Sequence, residues 1–286
     1  MRVARPGPLL APFIELLWHS DDGGDGAPRP ERERVLPTGR ASLVVRVSPE
    51  PVRVFAADDE PRGRTFGHAV VGGARSSYYV RDTSRPSIAF GVQFRPGGAA
   101  AFLGVPAEEL AERHTSLDDL WGSDVQRLRE RLLSAPSAAE QFTIFAAELA
   151  ARARRARAIH PAVAAALRAL GNCNGPAAVD EAWRASGFSR RHFIAVFQRE
   201  VGLSPKVFAR IQRFQGVLRS PSRTGWADRA AAGGYADQSH LVREFRALAG
   251  VAPSRYRPHP GRPNHVPLGA FALTSNTSKP RARARG

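Results

Sequence analysis

Residues 234–256 read Gly-Tyr-Ala-Asp-Gln-Ser-His-Leu-Val-Arg-Glu-Phe-Arg-Ala-Leu-Ala-Gly-Val-Ala-Pro-Ser-Arg-Tyr, and no other stretch constrains the fold as tightly. Gly234 suits a sharp turn, because without a Cβ it reaches positive φ at little cost. Asp237 can cap the helix that follows by accepting its orphan first-turn amides. Leu241, Phe245 and Leu248 recur at helical spacing and predict one buried stripe. Ser239, Val242, Arg243 and Arg246 share the opposite face, and Gly250 with Pro253 predicts the stop. A short helix with an apolar back and an arginine-bearing front has the shape and chemistry to lie in a DNA major groove.

The same design occurs once earlier. Gly187-Phe188-Ser189 opens it, Phe193, Phe197 and Val201 form its stripe, and Gly202-Leu203-Ser204-Pro205 closes it. Gly187 pairs with Gly234, Phe197 with Phe245, Gly202 with Gly250, Pro205 with Pro253 and Phe208 with Tyr256. Two copies are too few for a solenoid and suit a duplicated helix-turn-helix. A helix from Pro161 to Leu170 precedes the first copy, followed by a turn at 171–175. Val179 to Ser186 is the lead helix of the first unit and Trp226 to Gly233 that of the second. Pro205 to Leu218 connects them, with Val207, Ile211, Phe214 and Leu218 on one stripe.

Through these residues, positions 160–256 resemble the DNA-binding domain of the AraC/XylS family of bacterial transcription regulators. The resemblance rests on Gly-Tyr-Ala-Asp-Gln-Ser-His-Leu, Arg-Glu-Phe and Gly-Val-Ala-Pro-Ser-Arg-Tyr in order, and covers about a third of the chain. It implies seven helices, two helix-turn-helix units and sequence-specific binding near promoters. It also implies that Gln238, Ser239 and Arg243 face bases. The chemistry fits, since arginine donates two bonds to guanine and glutamine pairs bidentately with adenine. Val242 can touch a thymine methyl, and Arg246 shares the same face. In the weaker alternative, Gln238 and Ser239 extend the cap and Arg243 binds phosphate.

The matching outward positions of the first unit are Arg191, Ile194, Ala195 and Gln198, with Arg190 beside them. Here the chain departs from the family pattern. Ala195 stands where a polar or arginine side chain is common, Trp183 where a small residue is usual, and Arg229 where the second unit usually has an apolar one. The first unit is therefore expected to supply affinity and shape reading, and the second to discriminate sequence.

Charge supports a polyanionic partner. The net charge of +16 divides into +2 over residues 1–158, +9 over 159–258 and +5 over 259–286. A positive surface coincident with the paired motif attracts duplex DNA and releases its counterions. The single Cys173 excludes an intramolecular disulfide and a cysteine-built zinc site. The eight histidines contain no His-x-His or His-x-x-x-His pair, and no Gly-x-Ser-x-Gly elbow or phosphate loop occurs. No enzyme activity, cofactor or metal is expected. Neither a signal peptide nor an apolar span long enough for a bilayer is evident, so the protein is expected to be cytoplasmic.

Residues 1–158 read as a mixed strand-and-helix domain, with barrel-like closure one option. Expected strands are Ile14–His19, 42–47, 52–55, 69–71 and 88–94. In the last, Ile88, Phe90, Val92 and Phe94 alternate with Ala89, Gly91, Gln93 and Arg95. Stretch 20–34 reads as a loop. Helices are expected from about Ala99, over 108–114, over 125–133, and over 137–158 with an arginine-rich, solvated end.

Three segments, Leu36-Pro37-Thr38-Gly39-Arg40, Phe94-Arg95-Pro96-Gly97-Gly98 and Leu117-Asp118-Asp119-Leu120-Trp121-Gly122, resemble an N-terminal domain often fused to AraC-type readers. That fusion implies a sensing or regulatory role. Gln93 and Arg95 are the candidates for ligand contact, the latter opening a strand–glycine–helix turn that can be an anion nest or, more simply, a plain turn.

The expected organisation is thus α+β: a sensor domain (1–158), an all-α double helix-turn-helix domain (159–258) and a basic disordered tail (259–286). Double-stranded DNA is the expected partner, with a small-molecule effector, RNA polymerase and a second copy of the chain as further candidates. The alternatives are a module whose N-terminal domain binds a protein and no ligand, and a nonspecific basic nucleic-acid binder.

Overall fold

The computed structural model describes residues 2–22, 30–172, 176–220 and 224–268. Cys173 and the arginine-rich end of the expected tail lie outside them. The N-terminal half is built on two antiparallel sheets. The larger holds β1 (Arg2–Ala4), β2 (Ile14–Asp21), β4 (Ser42–Arg46), β7 (Ala69–Gly72), β9 (Ile88–Phe94) and β10 (His114–Ser116), in the order β1-β2-β9-β4-β7-β10. The smaller holds β3 (Arg32–Val35), β5 (Val52–Phe55), β6 (Arg64–Phe66), β8 (Tyr79–Asp82) and β11 (His265–Leu268), in the order β11-β3-β8-β5-β6. Among the described residues no strand pairs across the two sheets, so they do not close into a barrel.

Period-two alternation gives the larger sheet two different faces. Leu17, Leu43, Val45, Val71, Phe90, Val92 and Phe94 face a core completed by five helices. These are α1 (Gly98–Leu103), α2 (Ala107–Leu110), α3 (Asp118–Trp121), α4 (Asp124–Ser134) and α5 (Ala138–Ala153). Phe102, Leu128, Phe145 and Leu149 are their main contributions. The other face, including Trp18, Ser42, Val44 and Gln93, lines a cavity of about 270 Å³ roofed by Val54, Tyr79 and Arg81 of the smaller sheet.

Two expected helices change. The segment 108–114 gives only the single turn α2, after which Glu112 takes φ 60° and His114 enters β10. Pairing with the open edge of β7 satisfies more backbone than extending a short helix would. The helix expected over 137–158 ends at Ala153. Beyond it Arg157 donates its amide to the Ala101 carbonyl (3.2 Å) and its guanidinium to Glu200 (2.9 Å). Arg152 lies over the Trp121 ring (3.7 Å) and pairs with Asp124, so this arginine-rich stretch is partly structural.

The C-terminal half is helical: α6 (Pro161–Asn172), α7 (Pro176–Ser186), α8 (Arg190–Val201), α9 (Pro205–Arg219), α10 (Trp226–Ala232) and α11 (Gln238–Ala249). Six α-helices form among the described residues of this half where the resemblance implied seven, and Pro253–Arg255 adds a single 3-10 turn. Phe197 is fully buried in the first unit and lies edge-on to Phe208 (5.8 Å). Phe245 holds the second, edge-on to Phe214 (5.2 Å), Trp226 (5.5 Å) and Tyr256 (5.4 Å).

The two halves share a hydrophobic core. Leu36, Ala74 and Val266 pack with Phe197, Ile211, Phe214 and Phe245. The loop after Leu36 lies along α9, where Gln212 donates to the Thr38 carbonyl (3.1 Å) and Gln215 to the Pro37 carbonyl (2.8 Å). Gly39 sits at φ 72°, and a Cβ there would stand 2.9 Å from Gln212 Nε2 and 3.2 Å from the Phe208 ring.

Residues 259–268, expected to open a disordered tail, are structured instead, and residues 269–286 lie outside the described residues. His265–Leu268 is β11, paired with Val35–Arg32 of β3, where a loop was expected. Its anchor is Glu33, 1% exposed, which is ion-paired with Arg81 and takes a bond from His265 Nδ1 (2.6 Å), with His259 Nε2 at 3.1 Å. Burial opposes the Glu33 charge, but Arg81 and the two imidazoles more than offset it and hold the carboxyl far below its ordinary value. Composition alone cannot show such a docking, which depends on partners more than two hundred residues away.

Two outcomes follow. Burial lowers His265 to about 4 and, with Arg75 nearby, His114 to about 3. The unfolded chain protonates both near pH 6.5, so it binds more protons than the fold between that pH and about 4, and stability falls as pH drops through the window. Thermal melts should show this fall, and a His114→Gln, His265→Gln chain should show a shallower one; an unchanged slope contradicts the assignment. Phe245→Ala should cost about 3–5 kcal/mol in urea unfolding, and a loss below about 1 kcal/mol would show that the second unit does not rest on this ring.

Candidate nucleic-acid interface

Each helix-turn-helix unit is set by local chemistry. Ser189 Oγ accepts the His192 amide (3.3 Å) to start α8, and Asp237 Oδ1 accepts the His240 amide (2.6 Å) to start α11. Gly202 and Gly250 end the two helices in the left-handed conformation. Gly234, at φ 69°, makes the turn before α11. Phe193, Phe197 and Val201 bury the back of α8, and Leu241, Phe245 and Leu248 that of α11.

Both fronts are open. On α8, Arg190, Arg191, Ile194 and Ala195 are exposed and Gln198 is half-buried. On α11, Gln238, Ser239, Arg243 and Arg246 are exposed and Val242 is half-buried. Each unit's proposed contact residues thus share one uncovered helical face. The N-terminal half meets both helices at their far ends: Gly202 after α8 approaches the Ala107 carbonyl and Glu200 pairs with Arg157, and Gly250 after α11 lies against the Tyr78 ring.

The three departures from the family pattern have structural partners. Trp183 Nε1 donates to the Phe188 carbonyl (2.9 Å), bracing the turn before α8. Arg190 lies over its ring (5.7 Å) and 3.7 Å from Asp180, so one cation of the first unit is already engaged. Arg229 is buried against Trp226 (4.7 Å) and donates to the Thr224 carbonyl (2.9 Å).

Sequence reasoning missed Glu244. It is 8% exposed and takes bonds from Arg213 (2.8 and 3.0 Å) and Tyr235 Oη (2.9 Å), with Arg210 at 3.2 Å. This cluster pins α11 to α9 beside the apolar stripe. The available signal was position, since Glu244 stands three residues after Leu241 and directly before Phe245. Burial and the Glu244 charge push the Tyr235 phenol upward, so it stays a neutral donor.

The two N-terminal candidates separate. Gln93 lines the inter-sheet cavity. Arg95 is exposed outside it and donates to the Ala11 carbonyl (2.8 Å), while the Gly98 amide bonds the Arg95 carbonyl (2.8 Å), which makes this segment a strand-to-helix turn. Among the described residues no helix is long and apolar enough to cross a membrane, and no metal-holding cluster of His, Cys, Asp or Glu forms.

Residues 182–259 match the model of a helix-turn-helix domain, and residues 2–116 match a domain of unknown function, DUF6597. No curated protein matches the chain. Among solved structures, apo ToxT K231A from Vibrio cholerae strain SCE256 is similar at TM-score 0.44 and 12% identity, over 88% of this chain and 98% of that one. ToxT from Vibrio cholerae O395 gives 0.42 and 11%, over 91% and 97%. Wild-type ToxT from Vibrio cholerae strain SCE256 with an unsaturated fatty acid bound also gives 0.42 and 11%, over 85% and 94%. Scores of this size mark a loose overall similarity. The chain joins a DUF6597 domain to an AraC-type helix-turn-helix domain, and it is a DNA-binding transcription regulator.

Proposed function

We propose that the chain regulates transcription by reading two adjacent major-groove windows, one with α8 and one with α11. The observation that carries this reading is that both helix fronts stay uncovered although the N-terminal half is docked against the same domain. The connector α9, of 15 residues, is about 22 Å long at 1.5 Å per residue, a scale suited to holding two readers near one helical turn apart. Arg243, Gln238, Ser239, Val242 and Arg246 are the reading set of the second unit. In the first, Arg191, Gln198 and Ile194 lie on the open face, and Arg190 is tethered by Trp183 and Asp180. The first unit therefore supplies affinity and shape reading while the second discriminates bases. The N-terminal half acts as the regulatory part, and its cavity between the two sheets favours a small-molecule effector over a protein partner alone.

Selection of bound DNA from a random pool, followed by footprinting, tests the reading. The expected result is a site of two half-sites about 10 base pairs apart; absence of any preferred site at physiological salt would establish the nonspecific binder instead. Arg243→Ala should cost about 1–3 kcal/mol at its cognate base and relax preference there. Uniform weakening across sequences would make Arg243 a phosphate contact. A base-substitution scan should show the half under α8 to be the more tolerant one, and equal tolerance would remove the proposed division of labour.

A further inference from the structure

The pairing register of the larger sheet arranges the cavity floor in rows. Leu16, Gln93, Ser42, Gly72 and His114 lie across one end, and Trp18, Gly91, Val44 and Val70 across the middle. The middle row is apolar, and Trp18 packs against Gly91, where a Cβ would meet the indole at 2.3 Å. Gln93, Ser42 and His114 make the first row mostly polar; Asp22 lines the cavity elsewhere, and the row itself carries no carboxylate. Above it stand Tyr79, whose ring meets His114 edge-on (4.5 Å), and Arg75, over the Tyr79 ring (5.3 Å).

Arg75 is the group the regulator's DNA chemistry leaves unused. Its guanidinium reaches His114 Nδ1 at 3.5 Å, and its Nε is buried with no hydrogen-bond partner. An unmatched donor on a buried cation is costly unless something fills it. Among the described residues Arg75 makes no ion pair, whereas Arg40 and Arg81 on the same cavity wall are paired with Glu15 and Glu33, and Arg46 donates to the Glu50 and Pro51 carbonyls. Burial and Arg75 keep His114 neutral, so its Nδ1 accepts from Arg75.

We propose that this cavity binds a small organic acid, its carboxylate held by Arg75 with Tyr79, Ser42 and Gln93, and its apolar body on the row of Trp18, Gly91, Val44 and Val70. The acid supplies the direct ion pair that Arg75 lacks among the described residues, where Glu112 acts on it only at longer range, and the body covers a face that the smaller sheet leaves open. A volume of about 270 Å³ accommodates a metabolite-sized molecule. Pro37, Thr38 and Asn264 line the same cavity and accept from Gln215 and Gln212 of α9, so an occupant sits one residue from the helix that carries both readers. The assignment rests on reading the N-terminal half as the sensing part.

Thermal shift and calorimetric titration of the full chain test it, using phenylacetate, cyclohexanecarboxylate and hexanoate, each beside its uncharged amide, with inorganic phosphate as a further arm. At least one acid should raise the melting temperature in a concentration-dependent way and exceed both its amide and phosphate. Arg75→Gln should weaken that acid at least tenfold and Tyr79→Phe severalfold, each variant being folded by circular dichroism. Should Arg75→Gln fail to fold, Tyr79→Phe carries the comparison alone. The proposal is overturned if the amide binds as well as the acid, if phosphate alone gives the whole shift, if the variants bind unchanged, or if no acid binds. Selection of DNA by the ligand-free chain is scored separately, so a failure here is distinguishable from a failure of the DNA reading.

Discussion

Leu36, 2% exposed in a core built mostly of helices from the other end of the chain, is the contact that makes this protein one body. Burying a leucine stabilises by about 1.5–3 kcal/mol, and here that gain requires the two halves to stay docked. The following residues add direction to the attraction. Gln212 and Gln215 each donate to a carbonyl of the Pro37–Thr38 loop, and Gln215 also bonds Asn264 Oδ1 (2.8 Å). These bonds fix where α9 lies against the sheets, and α9 in turn holds both readers.

The larger sheet serves two purposes because its faces differ. Aromatic and branched residues on one face bury against five helices, which gives the N-terminal half its own core. The opposite face keeps Ser42, Gln93 and the small Gly91, so the second sheet settles over it without filling the space between. The C-terminal strap closes one side of that space. Its strand β11 is held by the Glu33 cluster, in which a buried carboxylate is compensated by Arg81 and the imidazoles of His259 and His265. A buried carboxylate is tolerable only with such compensation, and the chain draws it from both of its ends.

The two helix-turn-helix units share an apolar plan and differ in how they are fastened. The second is tied internally, through Glu244 to Arg213, Arg210 and Tyr235. The first is tied outward, through Glu200 to Arg157 at the end of the N-terminal half. The N-terminal half also reaches the second unit directly, since Tyr78 lies against Gly250 at the end of α11.

The helix-turn-helix half was legible in the sequence because its information is local. A serine or aspartate cap, an apolar stripe at helical spacing and a terminal glycine each act within a dozen residues, and Ser189, Phe197, Asp237 and Phe245 took the places their spacing predicted. The strand at 88–94 was legible for the same reason, since strict alternation separates a helix-facing side from a cavity-facing one. Short elements such as β3, β8 and β10 carried no such period. They are strands because a neighbouring edge needed partners, a condition that only the assembled sheet sets. Tertiary structure alone decided that Glu33 would draw the segment after Pro258 back into a sheet, that Leu36 would join the helical core, and that Arg75 would line the inter-sheet cavity beside His114 and Tyr79. Each depends on groups far apart in the chain, whose meeting is fixed by burial and charge compensation and by no local pattern.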